Sequence, residues 1–510
     1  MISAQSGSVP RAPARVAPSD IAVIGGGTAA ACLLVGLSHQ LPATLEGRRT
    51  IVVFEPDDRL WRGRVYQEDG PEILANAPIS EMSIHAGDPE HAGRWARAQF
   101  GEPTRDTGGW YMPRAHFGGY LVAEAEAAIG RLRERNWEVR IVNQKVRDIG
   151  IARRGAIVTT ARIAVPCTTV VLCVGGQGQS DPFGLYGRPG FVGAPYPTST
   201  GLAGIPPDRD VVVIGTGLTA TDVTVALAAH GHRGRILLAS RHGLLPTVRP
   251  AVPARPRTLT ELTRARIRQL AHEGSYGAPA LFALARAEIA AAGHDPDGLG
   301  HEIRTSEPPL TRLRRHLDGE IPAALGLLYQ VAHDFGQELC YLLPESDKSA
   351  LLAEYHSQIS SLCCPMPRVN AERLLALGGS GQLEVLPGLR HIAPSDTGGF
   401  DAHAHGRTES APIVVSAAGS AFHPVPPDAQ PLVDSLIRLG AAVADPHGGL
   451  RIDPLSDRLI AKGDDRPQPL FALGDLTHGT LYITSGIPFI VQRAHAIAGA
   501  VCADLGRPRS

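Results

Sequence analysis

A glycine-rich turn near the N-terminus could bind the phosphates of a dinucleotide. It reads Gly25-x-Gly27-x-x-Ala30 and follows the predicted strand Ile21–Ile24. The first glycine permits a tight turn, the second lets the backbone approach a pyrophosphate, and a small third residue lets helix and strand pack closely. The amides at the start of the following helix would face the phosphates. The candidate residues of this turn are Gly25, Gly26, Gly27, Thr28, Ala29 and Ala30.

Glu55 stands where the next predicted strand, Arg49–Glu55, ends. A carboxylate at that place can accept hydrogen bonds from both hydroxyls of an adenosine ribose. FMN has no adenosine ribose, so the turn and Glu55 together predict FAD. The alternative is an ordinary strand–helix turn followed by an exposed glutamate.

A second turn of the same kind reads Gly215-x-Gly217-x-x-Ala220 and follows the predicted strand Val211–Ile214. Its next strand ends in Ser240-Arg241 rather than in an acid. A guanidinium and a hydroxyl suit a 2′-phosphate, whereas an acid would suit a free 2′-hydroxyl. The second site is therefore predicted to bind NADPH, with NADH or a plain surface arginine as the alternatives. Its candidate residues are Gly215, Thr216, Gly217, Leu218, Thr219, Ala220, Ser240 and Arg241.

The elements around the two turns predict an α/β protein with two Rossmann-like dinucleotide-binding domains, the NAD(P) domain being inserted in the FAD domain. At 510 residues the chain is too long for one ordinary core. The strand Ile413–Ala417 and the segment Leu470–Asp475 are interpreted as returns of the chain to the FAD domain. The predicted divisions are a disordered tail (1–18), the FAD domain (19–208 and 411–510), the NAD(P) domain (209–255 and 361–410) and a helical insertion (256–360).

Composition and charge argue against several classes of partner. Lys and Arg total 49, and Asp and Glu total 50, so there is no electrostatic reason to expect nucleic acid or an acidic membrane. No run of about 18 apolar residues occurs, and the first 18 residues lack the apolar region of a secretory signal. The seven cysteines are odd in number and contain no C-x-x-C pair. We therefore expect a cytoplasmic protein without a disulfide framework.

Two late segments resemble the two-dinucleotide-binding flavoproteins, in which the chain returns to complete the FAD site. Val414–Gly419 resembles their ATG-type strand and turn, and Leu473-Gly474-Asp475 resembles their GD motif. The resemblance implies that Asp475 contacts the flavin ribityl chain. A helix beginning near Ile487-Pro488 would aim its N-terminus at the flavin pyrimidine ring, where its dipole would stabilise negative charge. Gly474, Asp475 and Pro488 are therefore assigned to the FAD site.

A closer resemblance, over about residues 20–505, is to the FAD/NAD(P)-binding proteins that include the nitrosuccinate synthases. It implies that Asn76, Met82 and Gly175 also belong to the FAD site. The chain departs from the family at Cys363–Arg368, where the family often has a stretch rich in Trp, His and Arg. The matching stretches are Arg64-Val65-Tyr66, Ile73–Pro78, Met82-Ser83, Met112-Pro113-Arg114, Phe117–Leu121, Gly215–Thr219 with Asp222, and Ser240–Pro246.

The reaction class follows from what the chain lacks and from the resemblance. Disulfide reductases need a spaced cysteine pair beside the flavin, and none exists. Baeyer–Villiger enzymes carry F-x-G-x-x-x-H, but here Phe191-x-Gly193 is followed by Pro197 at the histidine position. N-hydroxylating monooxygenases carry an ATG-type motif followed by Pro or His, and Gly419 is followed by His423-Pro424.

The resemblance thus implies an NADPH-dependent monooxygenase that reacts with O2, forms a C4a-hydroperoxyflavin and oxidises the amine nitrogen of a small polar metabolite, such as an aspartate-like amino acid. A flavin reductase or oxidase that uses NAD(P)H, and a redox sensor with slow turnover, are the alternatives. No catalytic side chain and no metal site are predicted, and the oligomeric state is left open. Cys363 and Cys364 are interpreted as incidental thiols rather than a redox pair. Four histidines that could tune the flavin are interpreted as surface or packing residues: His85, His116, His423 and His478.

Overall fold

Two doubly wound β-sheets organise the chain, and each contains one of the glycine turns. In this computed structural model the described residues are 13–42, 47–102, 109–153, 155–175, 181–249, 257–418, 425, 427–463 and 468–506. The strands in chain order are β1 (Ala14–Arg15), β2 (Ser19–Ile24), β3 (Arg49–Phe54), β4 (Trp137–Val142), β5 (Val146–Ile151), β6 (Ala156–Thr160), β7 (Ile163–Leu172), β8 (Phe191–Val192), β9 (Val211–Ile214), β10 (Ile236–Ser240), β11 (Leu383–Pro387), β12 (His391–Pro394), β13 (Phe400–Ala404), β14 (Arg407–Ala411), β15 (Ile413–Ser416) and β16 (Leu470–Ala472).

Helices connect the strands and cover the sheets. Two 3₁₀ turns, Ile79–Glu81 and Asp475–Thr477, accompany them. The α-helices are α1 (Thr28–Gln40), α2 (His91–Phe100), α3 (Arg114–Glu134), α4 (Thr198–Gly201), α5 (Leu218–Ala229), α6 (Arg264–His272), α7 (Ala278–Ala291), α8 (Pro296–Ile303), α9 (Pro309–Leu317), α10 (Ala324–Tyr341), α11 (Glu345–Cys363), α12 (Arg368–Gly379), α13 (Gln430–Arg438), α14 (His478–Leu481) and α15 (Ile487–Gly506).

Five parallel strands form the centre of the first sheet, in the order β4-β3-β2-β7-β16. The short strand β1 also pairs with β7, and the antiparallel strands β6 and β5 extend the sheet beyond it. Strands β2 and β3 are buried along almost their whole length, because other elements cover both faces. Helices α1, α3 and α15 pack on one face, and α13 packs on the other.

The second sheet is parallel throughout, in the order β11-β10-β9-β15-β8. Helices α5 and α12 pack on one face, and the three-stranded antiparallel sheet β12-β13-β14 packs on the other. The strand before the glycine turn has the same neighbours in both sheets. β2 lies between β3 and β7, and β9 lies between β10 and β15. The two units therefore repeat one Rossmann-like plan.

This repetition corrects one prediction. The strand predicted to return to the FAD domain, Ile413–Ala417, instead pairs with β9 in the second sheet, with Ile413 opposite Val211. It takes the place beside β9 that β7 takes beside β2. A short apolar strand does not reveal which sheet it joins, because its hydrophobic pattern is the same in either. The boundary predicted at residue 411 therefore falls inside the second unit, at the end of β14 and just before β15, and β16 carries the return to the first sheet.

The predicted N-terminal tail, residues 1–18, contains a strand. Residues 1–12 lie outside the described residues, but Ala14 and Arg15 form β1 and pair with Ile163 and Ala164 of β7. Backbone pairing to an existing strand orders this stretch, although its side chains are exposed.

The described part of the segment between β10 and α12 contains six helices, α6 to α11. They enclose two small apolar clusters of their own, one around Ile267 and Phe335 and one around Ile289 and Leu325. This agrees with the predicted helical nature of the segment. Among the described residues, no helix is long and apolar enough to cross a membrane.

Candidate cofactor-binding sites

Gly25 begins the first turn and has no room for a side chain. Its φ is +102°, and a Cβ there would lie 2.6 Å from the carbonyl oxygen of Cys173, just after β7. Only glycine adopts this backbone conformation without strain and permits the contact. The turn therefore crosses directly over the end of β7 and places the start of α1 at the carboxyl edge of the sheet.

The start of α1 leaves backbone amides available to an anion. Gly27 precedes the helix and makes no side-chain cap, and first-turn amides have no carbonyl partner within a helix. A Cβ on Gly27 would lie 3.3 Å from the Cα of Gly63, and the Thr28 hydroxyl donates to the carbonyl oxygen of Arg62 at 3.1 Å. A narrow groove lined by amides fits a pyrophosphate.

Glu55 lies at the side of this groove. Its Oε2 accepts a hydrogen bond from the Gly26 amide at 2.8 Å, and its Oε1 accepts from the Asp57 amide at 3.0 Å. The two bonds orient a half-buried carboxylate next to the turn. This is where the ribose of an adenosine would lie if its pyrophosphate met the start of α1.

The late residues assigned to FAD come to the same edge of the first sheet. The Leu473 amide donates to Leu172 of β7 at 2.9 Å. A Cβ on Gly175 would lie 3.4 Å from Oδ2 of Asp475, and a Cβ on Gly474 would lie 3.9 Å from the Cβ of Ala29. The structure thus brings residues about 450 positions apart in sequence to one site.

The remaining FAD candidates lie on two other segments. Asn76 and Met82 belong to a stretch that runs beside residues 110–120, with the Ala75 amide donating to Met112 at 2.8 Å. Met82 is buried in the core, and Oδ1 of Asn76 is buried without a hydrogen-bond partner among the described residues. Pro488 lies in the first turn of α15 and lines an open cleft of about 560 Å³.

The second turn repeats the first. Gly215 has φ +111°, and a Cβ there would lie 2.8 Å from the carbonyl oxygen of Ala417, just after β15. Gly217 precedes α5 without a side-chain cap, and a Cβ on it would meet no atom within 4 Å. The hydroxyl of Ser416, the last residue of β15, is buried without a partner among the described residues. An open, amide-lined cradle is therefore present here as well.

Ser240 and Arg241 have different surroundings. The Ser240 hydroxyl accepts from the Gly243 amide at 2.9 Å and lies 3.1 Å from the Thr216 hydroxyl. It therefore stabilises the loop beside the turn. The side chain of Arg241 is exposed, which leaves its guanidinium able to reach a phosphate. Thr219 lies in the first turn of α5.

A buried ion pair joins the two units behind the second turn. Arg114, at the start of α3, contacts Asp222 of α5 at 2.6 Å, and both side chains are at most 6% exposed. Tyr196 donates to the same carboxylate, and Arg114 donates to Leu74 at 2.9 Å. Burial alone would lower the pKa of Arg114, but Asp222, Tyr196 and Tyr66 outweigh burial and raise it. The guanidinium therefore stays charged and links the two units.

The helical segment contacts the chain just after Asp475. Nδ1 of His356 in α11 lies 2.9 Å from the hydroxyl of Tyr482, and Gln337 of α10 donates to the carbonyl oxygen of Ile483 at 2.6 Å. Burial, followed by the charges of His478 and Arg241, lowers the pKa of His356. The contact between His356 and Tyr482 thus joins the helical segment to the segment after Asp475.

Residues 22–177 match the FAD-NAD(P)-binding family model. The match begins within β2 and ends just after β7, so the prediction of an FAD/NAD(P)-binding domain at this end of the chain is confirmed. No curated protein matches this sequence.

The similarity to solved structures extends beyond residues 22–177 to nearly the whole chain. Ornithine hydroxylase from Pseudomonas aeruginosa is 13% identical, with 96% of this chain and 100% of that chain covered and a TM-score of 0.58. The ornithine N-hydroxylase of Kutzneria sp. 744, solved with reduced FAD, NADP⁺ and L-ornithine, has the same identity and coverage and a TM-score of 0.56. The FAD-bound cadaverine monooxygenase of Erwinia amylovora is 13% identical, with 95% and 94% covered and a TM-score of 0.58.

At such low identity the likeness shows the fold. The predicted fold of two Rossmann-like units is confirmed, and the resemblance to N-hydroxylating flavin monooxygenases is confirmed at that level. Gly419, His423 and Pro424, which form the predicted N-hydroxylase motif, lie outside the described residues. Phe191 and Val192, of the partial Baeyer–Villiger motif, form β8 and pair with β15.

Sequence reasoning did not find His356 and Tyr482. Neither belongs to a motif, and 126 positions separate them. The structure marks Tyr482 by its φ of +64°, a conformation that is rare for a bulky residue and often occurs at functional sites. Two thiols nearby do not form a reactive pair. Burial raises the pKa of Cys363 to about 12, so this thiol stays protonated and is a poor nucleophile, whereas its neighbour Cys364 is exposed.

Proposed function

We propose that this chain is an FAD- and NADPH-dependent monooxygenase that oxidises the amine nitrogen of a small polar metabolite. The observation that carries the proposal is the repeated cradle. Two turns of the same geometry, at Gly25 and Gly215, each present the uncapped start of a helix. Two dinucleotide sites in one chain fit a flavin and the nicotinamide nucleotide that reduces it.

The first cradle is proposed to hold FAD. The amides at the start of α1 would bind the pyrophosphate, and Glu55 would bind the adenosine ribose. Asp475 and Gly175 lie close enough to each other to meet the middle of the same cofactor. The unpartnered Oδ1 of Asn76 offers an acceptor to a flavin N–H.

The second cradle is proposed to hold NADPH, and Arg241 is proposed to select it. The Ser240 hydroxyl is already bonded to its own loop, so the exposed guanidinium of Arg241 is the group that remains for a 2′-phosphate. Charge-assisted bonds of this kind contribute about 1.5–3 kcal/mol each. We expect Arg241→Ala to raise the KM for NADPH about ten- to hundred-fold and to leave that for NADH nearly unchanged.

Arg209 provides a matched control for Arg241. It is also an exposed arginine of the second unit, but it precedes β9 and thus lies at the opposite edge of the sheet. Arg209→Ala should behave as the wild type with both nucleotides. Equal losses for NADPH and NADH in Arg241→Ala would contradict the assignment of the 2′-phosphate.

The overall reaction balances without a redox cysteine. NADPH, H⁺, O2 and an amine would give NADP⁺, water and a hydroxylamine. When bound, FAD supplies the carrier through which two electrons pass from NADPH to O2. The chain itself would position the amine and exclude water. His356 and Tyr482 contribute to this by connecting α11 to the segment that follows Asp475.

The substrate is proposed from chemistry shared with similar folds. The similar solved structures include two ornithine hydroxylases and a cadaverine monooxygenase. Ornithine and cadaverine are both amines. The sequence resemblance favours an aspartate-like amino acid, and we propose this as the first candidate.

One experiment separates this proposal from its alternatives. Purified protein is reconstituted with FAD and supplied with NADPH and O2, and aspartate, ornithine, lysine and cadaverine are offered in turn. NADPH oxidation, O2 uptake, hydroxylamine and H2O2 are measured together. A hydroxylamine formed in proportion to NADPH supports the proposal. NADPH oxidised entirely to H2O2 with every amine indicates an oxidase, and negligible NADPH oxidation indicates a sensor.

A further inference from the structure

Three side chains outside both cradles converge in the first unit. His85 follows the 3₁₀ turn Ile79–Glu81, His91 is the first residue of α2, and Glu124 lies in α3. Nε2 of His85 is 2.8 Å from Oε2 of Glu124, and Nε2 of His91 is 3.9 Å from the same oxygen. One ligand atom from each of the three residues lies within 4.8 Å of those of the other two.

The other ring nitrogens of both histidines are already engaged. Nδ1 of His91 lies 3.1 Å from the hydroxyl of Tyr120, and Nδ1 of His85 lies 3.2 Å from Nε2 of His39. The two imidazole rings stack with their centroids 3.9 Å apart. Histidines that bind metals usually have such a partner on the second nitrogen, because it fixes the tautomer and the ring orientation. Both Nε2 atoms thus face the carboxylate of Glu124, and all three groups could share one cation.

A cation beside Glu124 would stabilise its largely buried carboxylate. Its side chain is only 11% exposed, and a buried carboxylate is costly unless it is paired. Within the described residues, the basic side chains within 4 Å of its carboxylate are the two histidines, and neither arginine nor lysine is among them. The side chains of His85 and His91 are themselves 10% and 27% exposed, so an ion there would be partly shielded from water.

We propose that His85, His91 and Glu124 bind one divalent transition-metal ion, Zn²⁺ being the best match. Two imidazole nitrogens and a carboxylate oxygen, with an open fourth position for water, form a ligand set that suits Zn²⁺. Tetrahedral ligands about 2.1 Å from Zn²⁺ lie roughly 3.4 Å from one another. The separations of 2.8 and 3.9 Å to Glu124 lie on either side of that value.

The ion would have a structural role. It would tie the loop at His85 and the start of α2 to α3, and that loop directly follows the segment that carries Asn76 and Met82. The ligands belong to neither glycine turn. Metal binding would therefore stabilise the first unit without taking part in the proposed redox reaction.

Metal titration tests the site directly. Tag-free protein containing FAD is dialysed against EDTA and titrated with Zn²⁺ by calorimetry, and bound metal is measured by mass spectrometry. We expect about one Zn²⁺ per chain and a higher Tm when Zn²⁺ is present, because a ligand that binds only the folded state stabilises it. His85→Ala and His91→Ala should lose both effects.

Two further variants make the test specific. Glu124→Gln keeps the size of the side chain and removes its charge, so it should fold and bind Zn²⁺ more weakly. His116 stacks on Phe100 outside the cluster, so His116→Ala should bind Zn²⁺ like the wild type. The proposal would be overturned if the wild type bound no Zn²⁺. It would also be overturned if folded Glu124→Gln and either histidine variant bound Zn²⁺ as tightly as the wild type, or if His116→Ala lost as much binding as the ligand variants. Co²⁺ provides an independent measurement, since a tetrahedral site would give its characteristic visible absorption.

Discussion

The two glycines of the second turn should respond in opposite ways to alanine. In Gly215→Ala the new Cβ would lie 2.8 Å from the carbonyl oxygen of Ala417, and this oxygen belongs to the backbone directly after β15. The residue must also keep a φ of +111°. In Gly217→Ala the new Cβ would meet no atom within 4 Å, and φ is −79°. The first change therefore damages the fold, and the second leaves it intact.

The size of the effect at Gly215 follows from two costs. A non-glycine residue in a sparsely populated backbone region costs of order 1–3 kcal/mol. Forcing an atom into a packed site costs typically 1–3 kcal/mol more, because β15 would have to shift against β9. We therefore expect Gly215→Ala to lose about 2–6 kcal/mol of unfolding free energy. Gly217→Ala should change it by less than about 0.5–1 kcal/mol, and Gly217→Val should abolish NADPH binding by filling the cradle.

Urea unfolding and NADPH titration separate these expectations. The unfolding midpoint is followed by circular dichroism, and the Kd for NADPH is measured by fluorescence on each folded variant. We expect Gly217→Val to fold but not to bind NADPH. We expect Gly215→Ala to unfold at a lower urea concentration than the wild type. If Gly215→Ala were as stable as the wild type, the close approach to Ala417 would be wrong. If folded Gly217→Val bound NADPH normally, the pyrophosphate would lie elsewhere.

Three other predictions concern the first unit, the contact between units and the helical segment. Gly27→Val should abolish FAD binding, because its side chain would extend toward Gly63, whose Cα is 3.3 Å from the position of a Cβ; a variant that retains one FAD per chain would contradict this. Asp222→Ala should lower the unfolding free energy by about 3–5 kcal/mol, because it leaves Arg114 buried and unpaired, whereas an unchanged urea midpoint would show that the pair contributes nothing. Burial alone would raise the pKa of Glu302, but hydrogen bonds from His316 and Arg315 and the charge of Arg312 outweigh it and lower the pKa. Because the folded pKa is below the unfolded value of about 4.3, this stabilisation is complete above that pH and is lost as pH falls through the folded pKa, so Glu302→Gln should flatten the acid limb of a Tm–pH profile below about pH 4.

The sequence predicted the parts of the fold that local rules determine. The strands Val211–Ile214 and Ile236–Ser240 occur as predicted, because a short apolar strand followed by a glycine turn and an apolar helix has one common solution. The place of Ile413–Ser416 could not be predicted in the same way. Sheet partners are set by long-range packing, and an apolar strand fits either sheet equally well.

Some residues of the candidate sites could likewise be predicted from local sequence patterns, whereas others are brought together only by the fold. Gly25, Gly215 and Glu55 could be proposed from the sequence alone, because dinucleotide-binding turns have those residue types at that spacing. The cluster of His85, His91 and Glu124 could not, because three elements of the fold bring it together and no regular spacing links its members. Arg114 and Asp222 were noticed only as parts of matching stretches, and their contact became visible in the folded chain.

Strand β16 has a consequence for how the molecule is made. It pairs with β7, yet 297 residue positions lie between Leu172 and Leu470, and the entire second unit is translated in that interval. Contacts between residues so distant along a chain form slowly, because the entropy cost of closing a long loop comes before the contacts can stabilise the structure. At a synthesis rate of about 5–20 residues per second, the edge of β7 where β16 will pair would wait for roughly 15–60 seconds. The second sheet could assemble in that time, so the nucleotide-binding half that begins first along the chain would be the last to mature.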